Sequence, residues 1–149
     1  MSMLADTGAW YALADTSDRH HEEAKAFYAV QTASTRLVTT DLIVAETWSL
    51  LHSHLGRSSA FIFWETLRET RTPILNLEPV DLEAGWHISQ AFPDQAFSFA
   101  DCMTFAPMER LRIYDAFAFD VHFLVHWFSP VQAQMSSPLR HMMGSRRTI

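Results

Sequence analysis

Four carboxylates sit where a lone carboxylate is costly. Asp6 follows the apolar run Met-Leu-Ala and Asp120 follows Ala-Phe-Ala-Phe, so each is placed to project from the end of a buried strand. Glu46 stands in LIVAETWSLL, with Leu42 at i−4, Ile43 at i−3 and Leu50 at i+4. Asp101 stands in FSFADCMTF, with Phe97 at i−4 and Phe105 at i+4. Both therefore emerge from apolar helical faces. A carboxylate taken out of water must be paired or metal-bound. The chain has one lysine, Lys25, and no basic residue neighbours these acids in sequence. A divalent cation is then the natural neutralising charge. All-oxygen ligation favours Mg²⁺ or Mn²⁺ over zinc.

Each acid also has a structural reading. Asp6 can cap a following helical turn, and Ser98 with Asp101 has the spacing of a capping box. Asp120 can cap a turn over residues 121–123, and Glu46 reaches solvent if the helix phase shifts by one residue. The joint placement of the four carries more weight than any one of them. Other reactive residues offer less. His20 and His21 are adjacent in a polar stretch, and His52 and His54 are two apart on a helix, so neither pair aims two nitrogens at one metal; all four read as surface residues. Cys102 reads as a small buried hydrophobe. Four scattered glycines leave no phosphate-binding loop.

The elements that must hold these residues alternate in type. Short apolar strands are expected at 3–5, 37–40, 74–77 and 116–119. Helical patterns lie between them: an apolar turn at 9–13, a helix from Asp18, one from Thr40 or Asp41 to about Gly56, one over 58–69, one capped by Asp81 and ended by Pro93, and one opened by Ser98. Strands alternating with helices imply right-handed crossovers and a parallel sheet with helices on both faces, so the fold class is α/β. In an open parallel sheet, ligands bind beyond the carboxyl ends of the strands, where Asp6 and Asp120 fall.

Length and composition narrow the function classes. At 149 residues, with 48% hydrophobic and 19% charged, the chain suits one core-forming domain. A single cysteine excludes a disulfide scaffold and a multi-cysteine zinc site, which places the protein in a reducing cytoplasm. No apolar run approaches the ~20 residues of a membrane helix, and MSMLADTG lacks a signal-peptide layout. The net charge of −6 denies the chain a broad basic face for nucleic acid, so any such role rests on a local site. Arg36, Arg57, Arg68, Arg71, Arg110 and Arg112 are the candidate phosphate contacts. Residues 131–149 lose apolar periodicity and read as a disordered tail, whose Arg140, Arg146 and Arg147 are alternative RNA contacts.

The order Asp-Thr at a first strand end, glutamate in VTTDLIVAETWSLL, aspartate in FSFADCMTFAPM, then AFAFDVHF resembles the PIN-domain ribonucleases, particularly the VapC-type toxins of toxin-antitoxin pairs. The likeness runs from about Leu4 to Phe128 and includes DTGAWYALAD, the Asp-x-x-His of Asp18 and His21, and PDQAFSFADC. It implies a three-layer α/β/α fold over residues 1–130 with a central, mainly parallel sheet. It also implies an acidic quartet of Asp6, Glu46, Asp101 and Asp120 holding Mg²⁺ or Mn²⁺. Such proteins are endoribonucleases, often of tRNA or ribosomal RNA, silenced by a cognate antitoxin. Two departures stand out: Gly8 replaces a more usual serine or threonine, and Pro107 falls inside the helix opened by Ser98.

On this reading Asp6, Asp101 and Asp120 are the main metal ligands. Glu46 binds a second ion or positions the attacking water, and the Thr7 hydroxyl orients from outside the ligand set. The expected products carry 5′-phosphate and 3′-hydroxyl ends. AFIFWETL spreads Phe61, Ile62, Phe63, Trp64 and Leu67 around more than one helical face, more apolar surface than one core contact consumes. A second copy of the chain, or an antitoxin helix in a groove, is the expected cover. The non-enzymatic alternative is a PIN-like protein that binds RNA or a partner without cutting.

Overall fold

The protein was analysed as a computed structural model, which describes residues 1–31, 35–120 and 122. The expected tail over 131–149 lies outside the described residues. Among the described residues four strands form one sheet: β1 (Ser2–Ala5), β2 (Arg36–Thr40), β3 (Ile74–Leu75) and β4 (Asp115–Phe117). Their order is β3-β2-β1-β4 and every pairing is parallel, with Leu4 beside Val38 on one side and Ala116 on the other. The central strand β1 is therefore covered on both edges and both faces, and this is why it reads as an unbroken apolar run. Among the described residues six helices flank this sheet: α1 (Thr7–Ala14), α2 (His21–Gln31), α3 (Asp41–Leu55), α4 (Arg57–Glu69), α5 (Pro79–Ala91) and α6 (Phe99–Leu111). The result is the expected three-layer α/β/α arrangement. None of these helices is long and apolar enough to cross a membrane.

Local chemistry sets the helix ends. Thr40 caps α3 by accepting a hydrogen bond from the Ile43 amide at 3.1 Å, and Gly56, at φ 91°, ends that helix in a conformation that few residues with a side chain tolerate. Ser98 caps α6 as expected, accepting from the Asp101 amide at 3.0 Å. In α5 the cap is Glu78 rather than Asp81: Pro79 takes the first helical position, and Asp81 at the third closes a capping box by accepting from the Glu78 amide at 2.9 Å. Pro107 sits in a helix that stays continuous to Leu111. Asp101 lies in the first turn, well upstream of the amide that proline lacks.

The core gathers where α1, α3 and α6 meet the sheet, around Leu4, Ala5, Val38, Ile43, Leu51, Phe105, Met108 and Phe117. Thr39 donates to the Ala5 carbonyl at 3.2 Å and accepts from the Trp10 indole at 3.3 Å, so this buried hydroxyl is satisfied twice. Expected and observed strands differ mostly at their ends. The third is two residues long instead of four, and the fourth closes at Phe117 instead of Phe119.

Candidate metal centre

Asp6 leaves the carboxyl end of β1, where its amide donates to the Phe117 carbonyl at 3.1 Å and so ties it to the end of β4. It occupies the cap position of α1 in extended backbone, yet its side chain makes no capping hydrogen bond. Asp6 as a residue is 8% exposed. Burial pushes its pKa up to about 7, helped by the negative charges of Asp120, Asp101 and Glu46 and opposed by a hydrogen bond with the Thr7 backbone. Asp6 thus lies within electrostatic reach of Asp120, Asp101 and Glu46, whereas the acids whose ligand atoms come within 4.8 Å of one another among the described residues are Asp101 and Asp120, not Asp6 or Glu46.

Glu46 reaches that end from α3. The buried stripe of this helix is Ile43, Thr47 and Leu51, not the face carrying Leu42, Glu46 and Leu50. Glu46 is accordingly solvent-exposed beside the stripe, which corrects the core-facing placement expected from sequence. The Thr7 hydroxyl donates to its Oε2 at 2.5 Å and holds it toward the cluster. Asp101 lies in the first turn of α6, where its Oδ2 accepts the Ser98 amide at 2.7 Å. The capping-box reading and the cluster reading of Asp101 therefore hold together. Asp120 follows β4 by three residues rather than directly, and its Oδ1 accepts the His122 amide at 3.0 Å.

His122 is the residue that sequence reasoning missed. Its Nδ1 lies 2.8 Å from Asp101 Oδ2, and Asp101, Asp120 and His122 each offer a ligand atom within 4.8 Å of the others. The available signal was the Asp-x-His spacing just beyond the last strand. The other histidines divide. His52 and His54 are exposed as expected, and His20 is half-buried, its ring stacked on Phe119 with centroids 4.4 Å apart. His21 is buried, with Nδ1 2.8 Å from the Ala12 carbonyl, which corrects its surface reading. That carbonyl lies in the last turn of α1, where backbone acceptors lack helical partners.

The candidate phosphate contacts also sort by topology. Arg110 forks onto both oxygens of Asp81 at 2.8 Å each and approaches Glu78 at 3.2 Å, so it serves the α5–α6 junction and drops from the set. Arg36 begins β2, while Arg71 and Arg112 precede β3 and β4, so these three lie toward the amino ends of strands whose carboxyl ends carry the acids. Arg57 lies over the Phe61 ring at 4.5 Å.

The donor set suits a hard divalent cation. Carboxylate oxygens dominate it, and among the described residues the lysine and arginine ion pairs go to Glu22, Glu78 and Asp81, not to Asp6, Glu46 or Asp101. A cation would lower the repulsion that raises the Asp6 pKa. With oxygens from several elements at one rim, the arrangement can bind a metal ion beside a phosphodiester and orient a water toward it.

Comparisons with known proteins agree with this fold. A family model described as PIN domain matches residues 3–124. The chain is 28% identical over 133 residues to the 23S rRNA-specific endonuclease VapC20 of two Mycobacterium tuberculosis strains, CDC 1551 / Oshkosh and ATCC 25618 / H37Rv, covering 89% of this chain and 99% of each relative. Among solved structures it is similar to the crystal structure of Mycobacterium tuberculosis VapC20, described as a sarcin-ricin loop cleaving toxin, with TM-score 0.77, 26% identity, and 85% and 96% of the two chains covered. VapBC2 from Rickettsia felis, solved bound to a DNA fragment from its promoter, shares the fold at TM-score 0.64 and 6% identity, with 81% and 89% of the two chains covered.

Proposed function

The chain belongs to the PIN-domain family, and on that premise we propose that it is a metal-dependent endoribonuclease, the toxin of a toxin-antitoxin pair. The observation that carries this reading is the approach of Asp101, Asp120 and His122, whose ligand atoms lie within 4.8 Å of one another, with the pKa of Asp6 raised by burial and then by the charges of Asp120, Asp101 and Glu46. Asp6, Asp101 and Asp120 would hold Mg²⁺ or Mn²⁺. When bound, the ion lowers the pKa of a water and offsets charge on the scissile phosphate. Glu46, steered by the Thr7 hydroxyl, would accept a hydrogen bond from the attacking water and line it up against phosphorus. Cleavage would leave 5′-phosphate and 3′-hydroxyl ends. The substrate class would be a structured RNA; a ribosomal RNA loop is favoured over tRNA by the 23S rRNA specificity of the similar toxin.

The partner surface follows from α4. Ala60, Phe63 and Leu67 are buried, whereas Ile62 is 60% exposed and Phe61 and Trp64 are also open to solvent. Beside them a groove of about 310 Å³, lined by Trp10, Leu13, Tyr28, Ile62, Phe63 and Leu67, has the form that takes an apolar helix. A cognate antitoxin is the proposed occupant, with homodimerisation covering further apolar surface. Cytoplasmic RNA is the proposed setting.

The test incubates the purified chain with ribosomal and transfer RNA in Mg²⁺, Mn²⁺ or chelator, beside Asp101→Asn, and maps new ends. The expected result is metal-dependent cutting with 5′-phosphates, reduced by more than about 100-fold in Asp101→Asn, the ceiling for residues that only orient ligands. Metal binding without cleavage of any RNA would instead support a PIN-like protein that binds without cutting.

A further inference from the structure

We infer that His122 is a positioning residue for the metal centre: its ring and its backbone together hold Asp101 and Asp120, and the ring acts by hydrogen bonding rather than by ligating the ion. This rests on the reading of the acids as metal ligands. Asp101 Oδ2 receives two N–H groups, from Ser98 at 2.7 Å and from His122 Nδ1 at 2.8 Å. A carboxylate oxygen offers two lone-pair directions, so these bonds occupy Oδ2 and leave Oδ1 as the oxygen that would meet a cation. A carboxylate only accepts, so Nδ1 carries the hydrogen and the ring's lone pair sits on Nε2, across the ring from the bond to Asp101. The same residue donates its backbone amide to Asp120 Oδ1 at 3.0 Å.

One residue therefore sets the spacing of two acids that arrive from different elements, the first turn of α6 and the segment after β4. The ring is itself held in place. Phe97 meets it edge-on with centroids 5.5 Å apart and packs in turn against Phe105 at 5.3 Å and Phe92 at 5.5 Å. An orienting partner of this kind narrows the directions a ligand oxygen can take before the ion arrives.

The amide bond to Asp120 survives a side-chain change, so substitution isolates the ring. The experiment titrates the metal-free full chain with Mn²⁺, without RNA, by calorimetry, and records the electron spin-echo spectrum of the bound ion. His122→Ala is expected to weaken Mn²⁺ binding about 10- to 100-fold with an unchanged metal-free melting temperature. His122→Asn, whose side-chain amide falls where Nδ1 lies, is expected to restore most of that affinity. The wild-type spectrum should lack the deep nitrogen modulation of a bound imidazole. Unchanged affinity in His122→Ala overturns the proposal. So does a strong nitrogen coupling that neither variant retains, which would make His122 a ligand. An affinity loss accompanied by a lowered metal-free melting temperature and not rescued by Asn overturns it as well, in favour of a merely structural ring. A wild-type chain that binds no Mn²⁺ overturns the metal reading beneath it. Intact Mn²⁺ binding with no RNA cleavage leaves His122 in place and removes only the nuclease.

Discussion

Asp81 and Asp6 are both nearly buried, 1% and 8% exposed, yet the protein treats their charges in opposite ways. Asp81 is met by the Arg110 fork, which holds its carboxyl below the usual carboxylate range and outweighs the cost of burial, with the Glu78 amide adding to the effect. Among the described residues no lysine or arginine ion pair reaches Asp6; burial and then three neighbouring acids push it up to about 7. The first arrangement closes within the chain and staples α5 to α6. The second leaves a repulsion among acids that a bound cation would offset. A buried carboxylate is thus a marker of function only when its compensation is missing, which the pKa directions separate and burial alone does not.

Breaking the compensated pair should produce the largest effect on the fold. Arg110→Ala leaves Asp81 buried beside no cation, and removing one partner of such a pair typically costs about 3–5 kcal/mol. Arg110 retains 29% exposure, so the lower end, about 3 kcal/mol, is expected from urea unfolding. The loss should be the same with and without Mg²⁺. Replacing both partners, Asp81→Leu with Arg110→Met, should recover most of it, because two apolar groups leave no orphaned charge. A loss that Mg²⁺ reverses would mean that the α5–α6 staple and the acid cluster are one system.

The two regions were also unequally legible in the sequence. Asp6 and Asp120 could be placed because a strand buried on both faces announces itself as a continuous apolar run, and its end is where the first acid breaks in. Asp101 could be placed because Ser98 marks the helix start. Glu46 was given the wrong phase: Leu42, Ile43 and Leu50 fit two helical faces, and the residue that decides between them, Thr47, is buried although polar. The Arg110–Asp81 pair and the His122–Asp101 contact, 29 and 21 residues apart, are tertiary facts with no local signature. His21 looked like a surface residue because its neighbours are polar; its partner is a helix-end carbonyl, which no side-chain pattern records.

The uncompensated acid predicts a pH dependence of opposite sign to an ordinary salt bridge. Asp6 titrates at 3.8 when unfolded and about 7 when folded, so the folded state binds its proton more tightly. Its stabilising contribution is complete below pH 3.8 and is lost as pH rises through 7. At roughly 1.4 kcal/mol per unit the ceiling is about 4 kcal/mol, and because Asp120, Asp101 and Glu46 share the repulsion, about 2 kcal/mol is expected from Asp6 alone. Metal-free Asp6→Asn should therefore melt higher than wild type at pH 8 and level with it at pH 4. Excess Mg²⁺ at pH 8 should raise the wild type and leave the variant unmoved. A variant that melts below wild type at pH 8 would place the missing compensation inside the chain after all.

The smallest effect separates charge from backbone at the same spot. Gly8, two residues from Asp6 in the first turn of α1, is exposed, and a β-carbon there would meet nothing within 4 Å. Gly8→Ala should stabilise by ~0.4–1 kcal/mol, since alanine has less backbone freedom to lose on folding. Entropy of the unfolded chain carries no proton, so this gain should be equal at pH 4 and pH 8 and indifferent to Mg²⁺. That flat profile is the control against which the slope of Asp6→Asn is read. Should Gly8→Ala instead gain only at pH 8, the methyl group would be acting on the acids, by changing how the first turn of α1 solvates Asp6, and the Asp6 slope could no longer be assigned to carboxylate repulsion alone.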